Sequence, residues 1–153
     1  DTMFEMVVDF SDPQRIGFEL AFVDFWLQRD DDQRSRDQLK MAAETLLRGC
    51  EYHYTKSVQR VSRAAGIIPP DSRNAFVQSA HNLMHIDSRE DYERHIQQMH
   101  QQWNINPWLS WWTRPEIARM IFDSQRTMPA ERAALLPNTT NAEESMHAKI
   151  YSI

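Results

Sequence analysis

Glycine is scarce in this sequence, with three residues in 153 against about 7% in average usage. Glycine supplies the left-handed backbone of tight turns, so a chain this poor in it leans helical. Cysteine is scarcer still. Cys50 stands alone, which excludes an internal disulfide and suits a reducing compartment. No stretch approaches 18 consecutive apolar residues, so no membrane span is expected. The start of the chain has no basic region followed by an apolar segment, so no secretory leader is expected. Asp1 to Val8 reads instead like a chain entered mid-domain. Positive charge is also in short supply, with a formal charge of −5 and a pI near 5.6. A dedicated nucleic-acid binder is ordinarily basic, so any DNA contact has to come from a local patch.

What is present is ordinary globular composition, enough for one domain with a real core. Met3-Phe4-Glu5-Met6-Val7-Val8-Asp9 has the valines and polar ending of a short strand. Ser11-Asp12-Pro13 then opens a helix over 13–28, with Asp12 as N-cap and Pro13 in its first turn. Ile16, Leu20, Val23 and Leu27 form one apolar stripe, and Phe18, Phe22, Phe25 and Trp26 another. A helix apolar on two sides is expected at the centre of the core. A second helix is expected over 35–47. Residues 46–54 fit either a helix end or a short strand.

Helical periodicity resumes over 55–65, where Val58, Val61 and Ala65 face inward and Lys56, Arg60 and Arg63 line the other side. Gly66 to Pro70 breaks it. Short helices follow over 72–85, 88–103, 106–112, 115–122, 128–135 and 142–151. Thr113-Arg114-Pro115-Glu116 has the spacing of a capping box. No internal repeat is visible.

Three motifs carry chemistry. Val7-Val8-Asp9-Phe10-Ser11 puts a carboxylate at a strand end ahead of a helix. Cys50-Glu51-Tyr52-His53 is a Cys-x-x-His. Thr140-Asn141-Ala142-Glu143-Glu144 places an acidic pair in the first turn of a helix. Each has a plainer reading. Asp9 caps a helix, and Thr140 with Glu143, or Asn141 with Glu144, forms a capping box that complements the helix dipole.

The order of the motifs is more specific than any one of them. Asp9, then Cys50 and His53, then a helical stretch with Trp103, Trp108, Trp111 and Trp112, then Thr140-Asn141-x-x-Glu144, resembles the C-terminal part of the catalytic core of Mutator-like DDE transposases. The resemblance spans nearly the whole chain. It implies a mainly α protein: a partial RNase H-like α/β core with one to three short strands over 1–70, an all-helical insertion over 71–136, and a final catalytic-type helix over 137–153. It implies Asp9 and Glu144 as catalytic, metal-binding carboxylates holding Mg²⁺ or Mn²⁺. Cys50 and His53 become a structural motif near them. The partner implied is DNA, with self-association open and no membrane, in an intracellular setting that is nuclear if the source is eukaryotic.

The family's first aspartate lies on an earlier strand and has no counterpart within these residues. Two-metal phosphoryl transfer needs carboxylates to hold ions roughly 3.5–4 Å apart. The chain is therefore expected to be inactive alone, or to be a non-catalytic binding module of the same ancestry. If Asp9 and Glu144 share a metal, their carboxyl groups should lie within about 8 Å.

Lys56, Arg60 and Arg63 form the stripe best placed to face DNA phosphates, although a charge run is more often a solvated face. Trp112 is the tryptophan to consider for base stacking, against the plainer reading that the Trp108 to Trp112 cluster is core. Zinc is the rival metal, with Cys50 and His53 joined by His81 and His85, one helical turn apart. A metalloprotease reading of His81 to His85 fails because Asn82 holds the general-base position. Cys50 as a nucleophile lacks an orienting partner, so a buried, inert thiol is expected.

Overall fold

The computed structural model describes residues 1–140. Within them the chain is mainly helical, with eight α-helices and two short strands in one parallel pair. No helix among the described residues is long and apolar enough to cross a membrane. The chain divides into two compact units, Asp1–Cys50 with Thr127–Ile153, and Glu51–Arg126. The divisions fall at 50/51 and 126/127.

The first unit opens with a 3₁₀ turn, Thr2–Phe4, before strand β1, Met6–Val8. Phe4 was expected in the strand. Its ring instead meets Phe22 and Phe25 edge-on, at 5.6 and 5.4 Å between centroids, and this apolar contact outweighs its preference for extended backbone. Helix α1, Asp12–Leu27, begins after Ser11. Asp12 lies inside its first turn and pairs with Arg15 at 3.3 Å, so it is not the N-cap. Ser35 caps α2, Arg36–Glu44, in a full capping box with Gln38, two orphan donors satisfied reciprocally. Strand β2, Leu47–Gly49, then lies parallel to β1 in the register Met6 to Leu47, Val7 to Arg48 and Val8 to Gly49. The last helix described, α8, spans Ala130–Ala133.

The core here is Phe22 and Val23 of α1 against Leu39 and Ala43 of α2 and Leu46 beyond it, with Phe4, Phe18 and Trp26 packed around them. Helix α1 is not the all-round core element its two stripes suggest. Ile16, Leu20, Phe25 and Leu27 are 41–52% exposed. The described part of this unit offers α1 one helix and a two-stranded ribbon. Those cover the arc from Phe22 to Val23 and leave its flanks in water.

The second unit is all-helical: α3 Glu51–Ser62, α4 Arg73–Met84, α5 Arg89–Gln102, α6 Asn106–Trp112 and α7 Pro115–Ile121. Helix α3 starts four residues before the sequence period suggests, because Tyr54 packs as core. It is fully buried and donates its hydroxyl to the Ala80 carbonyl at 2.8 Å. Around it lie Trp112 at 4.7 Å and Phe122 at 5.7 Å, while Phe76 meets Trp103 and Trp108. The Trp108 and Trp112 indoles both donate to the hydroxyl of Ser57, at 2.9 and 3.2 Å. A buried hydroxyl that accepts twice keeps two indole N–H groups from being buried unpaired.

Candidate functional site at the strand ends

In a parallel pair both strands leave the sheet at the same end, and open α/β sheets bind ligands outside their carboxyl ends. Here that end presents Asp9 after β1 and Cys50 after β2. Their backbones stay bonded past the assigned strands, for the Cys50 N–H donates to the Val8 carbonyl at 2.9 Å. Asp9 is half-buried. Its Oδ1 accepts the Ser11 N–H at 2.9 Å, a turn that fixes the side chain to its own backbone. Its carboxylate makes no other hydrogen bond among the described residues.

Cys50 is fully buried. Its sulfur accepts from Thr140, the first residue of the Thr-Asn-x-x-Glu motif, through the backbone N–H at 3.4 Å and the hydroxyl at 3.6 Å. Two motifs 90 residues apart therefore meet at the carboxyl end of the sheet, one strand away from Asp9. Glu144 and Glu143 lie outside the described residues, as does the helix expected over 142–151.

Arg48 holds the approach to this meeting point. Although 7% exposed, its guanidinium donates to the carbonyls of Ala133 at 2.5 Å and Leu136 at 2.9 Å and to Asn138 Oδ1 at 2.9 Å. Arginine's planar fork suits several acceptors at once. One buried side chain on β2 thus fixes the segment that delivers Thr140. Sequence reasoning missed it. The available signal was a lone cation between Leu47 and Gly49 in an otherwise apolar stretch. Arg132 pairs with Glu5 in the same unit.

The remaining residues singled out from the sequence lie in the second unit. His53 is half-buried in the first turn of α3. Lys56 and Arg60 are exposed along that helix and Arg63 in the turn just after it; with His53, Ser57 and Gln59 they line a concavity of about 540 Å³. Trp112 is 3% exposed and hydrogen-bonded to Ser57, so its ring faces are core surface. Trp111, at 37%, is the exposed indole of that helix. His85 Nδ1 lies 3.4 Å from Asp123 Oδ2. Among the described residues no group of three or more His, Cys, Asp and Glu side chains is gathered closely enough to hold an ion. No family model, curated protein or solved structure matches the chain.

Proposed function

We propose that the chain is part of the catalytic core of a DDE-type DNA transposase of the Mutator-like kind, with an RNase H-like sheet end carrying Asp9 and Glu144 as metal-binding carboxylates. The observation that carries this is the convergence of Thr140, Cys50 and the end of β1. A capping box is satisfied by its own backbone and has no reason to meet a distant strand end.

Asp9 is a hard oxygen donor of the kind Mg²⁺ and Mn²⁺ take, while the Cys50 sulfur is a soft ligand already accepting from Thr140. In this reading Ser11 orients the Asp9 carboxylate, Cys50 holds the start of the last motif, and Arg48 holds the segment before it. Asp9 and Glu144 would hold the divalent ion, which when bound would lower the pKa of water and stabilise charge on a phosphoryl oxygen. The described residues supply one of the carboxylates such a centre needs, so the proposal assigns metal binding, and no complete strand cleavage, to this chain alone. The compactness of Glu51–Arg126 favours a second reading, a non-catalytic helical binding module of the same ancestry.

Titration of the whole chain with Mn²⁺, following free ion by electron paramagnetic resonance, separates the two. Weak binding that Asp9→Asn and Glu144→Gln each reduce by more than about tenfold, with Glu143→Gln unchanged, supports the metal site. Wild-type affinity in both variants returns Asp9 and Glu144 to helix caps. A wild-type chain that binds no Mn²⁺ leaves the module reading.

A further inference from the structure

We infer that the outer face of α3 is a phosphodiester-binding surface, which lies against the backbone of duplex DNA through Lys56, Arg60 and Arg63. The choice of DNA among polyanions rests on the function proposed above; the surface itself does not. At 100° per residue Lys56 and Arg60 fall about 40° apart on α3, opposite the buried Tyr54 and Val58, and Arg63 follows in the turn directly after its last residue, Ser62. From Lys56 to its end at Ser62 the helix rises about 9 Å, an axial length over which one DNA strand presents about three phosphates.

Two further observations point to a ligand. First, none of the three makes an ion pair or a hydrogen bond among the described residues. Elsewhere in the same unit Arg94 is paired with Glu90 and Asp91 and Arg126 with Asp123, while Arg73 and Arg89 likewise make no ion pair among the described residues. On α3 the Lys56 ammonium lies instead 5.1 Å from the centre of the Tyr52 ring, a contact that holds the charge outward without cancelling it.

Second, the acidic balance of the protein lies elsewhere. Glu51–Arg126 contains nine Lys and Arg against eight Asp and Glu, and the remainder has eight against fourteen. The formal charge of −5 therefore does not argue against a cationic face on this unit. Three aligned, uncompensated cations along a concavity read a backbone and carry no base-edge information, so binding should be independent of sequence.

The test is fluorescence anisotropy of the whole chain with a labelled duplex of arbitrary sequence across a salt series. The expected result is binding whose log K falls with log salt at a slope of about −2.7 for three phosphates, with each of Lys56→Gln, Arg60→Gln and Arg63→Gln reducing that slope by about 0.9. The triple variant should bind more than about tenfold more weakly at low salt. Arg94→Gln, which also removes one charge from this unit, should stay within about twofold of wild type. All four side chains are exposed, and unchanged circular dichroism will show that the variants fold. Wild-type binding by the triple variant overturns the inference, as does the absence of duplex binding by the wild-type chain at low salt, or displacement of the labelled duplex by polyglutamate as readily as by unlabelled duplex at equal charge concentration. Each of these results leaves the Mn²⁺ titration of Asp9 and Glu144 untouched, so the two proposals fail separately.

Discussion

Arg48 and Cys50 show how much one residue can do across 90 positions of sequence. The Arg48 guanidinium is the buried acceptor-gatherer for the Ala133 and Leu136 carbonyls and the Asn138 side chain. A hydrogen bond to a charged group contributes about 1.5–3 kcal/mol, and a buried acceptor left alone costs about 1–3 kcal/mol. Arg48→Met keeps most of the stem's volume and removes every donor. We expect it to lower stability by at least about 2 kcal/mol, read as a shift in the urea midpoint at unchanged slope. The same variant should speed the reaction of Cys50 with a bulky thiol reagent, because the segment that seats Thr140 on its sulfur is no longer held. A midpoint within error of wild type, with Cys50 as slow as before, would mean that the segment is fixed by something other than Arg48.

At the scale of elements, the apolar face of α1 distinguishes pattern from packing. Ile16, Leu20 and Leu27 share the stripe of Val23, yet Val23 is 1% exposed and Leu20 is 52% exposed. Periodicity reports that a face is apolar and is silent on what covers it. Leu20→Lys should therefore change stability by no more than about 0.5 kcal/mol, as surface substitutions do. Leu39→Ala, in the fully buried partner face of α2, should cost about 2–5 kcal/mol. Chemical denaturation of both variants checks the contrast, and a Leu20→Lys cost as large as that of Leu39→Ala would restore α1 to the centre of a core.

The same limit explains which elements the sequence made legible. Helices α1, α2, α4, α5 and α7 announce themselves by local signals: Pro13 and Pro115 in first turns, Ser35 and Ser88 at caps, and apolar residues at helical spacing. Strand β2 does not, since it is three residues long with a charged residue in the middle. It exists because β1 pairs with it in parallel, a contact no local pattern encodes. The start of α3 was hidden for a related reason. Cys50 to Tyr54 mixes polar and aromatic residues, and only the tertiary burial of Tyr54 decides that its turn is helical. At the candidate site, Asp9, Cys50 and Thr140 were legible as motifs. Arg48 and the seat of Thr140 on the Cys50 sulfur were not, because both depend on segments brought together from opposite ends of the chain.

For the molecule as a whole, the two compact units should not share one response to pH. The helical unit contains two buried phenols. Burial pushes the Tyr54 hydroxyl well above its ordinary range, with the neighbouring Tyr92 adding to the shift, and burial raises Tyr92 as well. Each is therefore held protonated in the folded unit, while in the unfolded chain each ionises near pH 10. A group whose folded pKa is raised contributes its full stability below the unfolded value and loses it progressively above. The helical unit should accordingly be stable through neutral pH and weaken once the pH passes about 10. Four of the five tryptophans, Trp103, Trp108, Trp111 and Trp112, belong to this unit, so their fluorescence reports its unfolding. In an alkaline titration, part of the phenolate absorbance should appear late and together with the fluorescence change. Tyr54→Phe removes one of the two groups and should flatten the dependence of stability on pH above 10, even though loss of its bond to Ala80 lowers stability at neutral pH. Complete phenolate formation near pH 10 with fluorescence and helical dichroism intact would show that neither hydroxyl is buried as described.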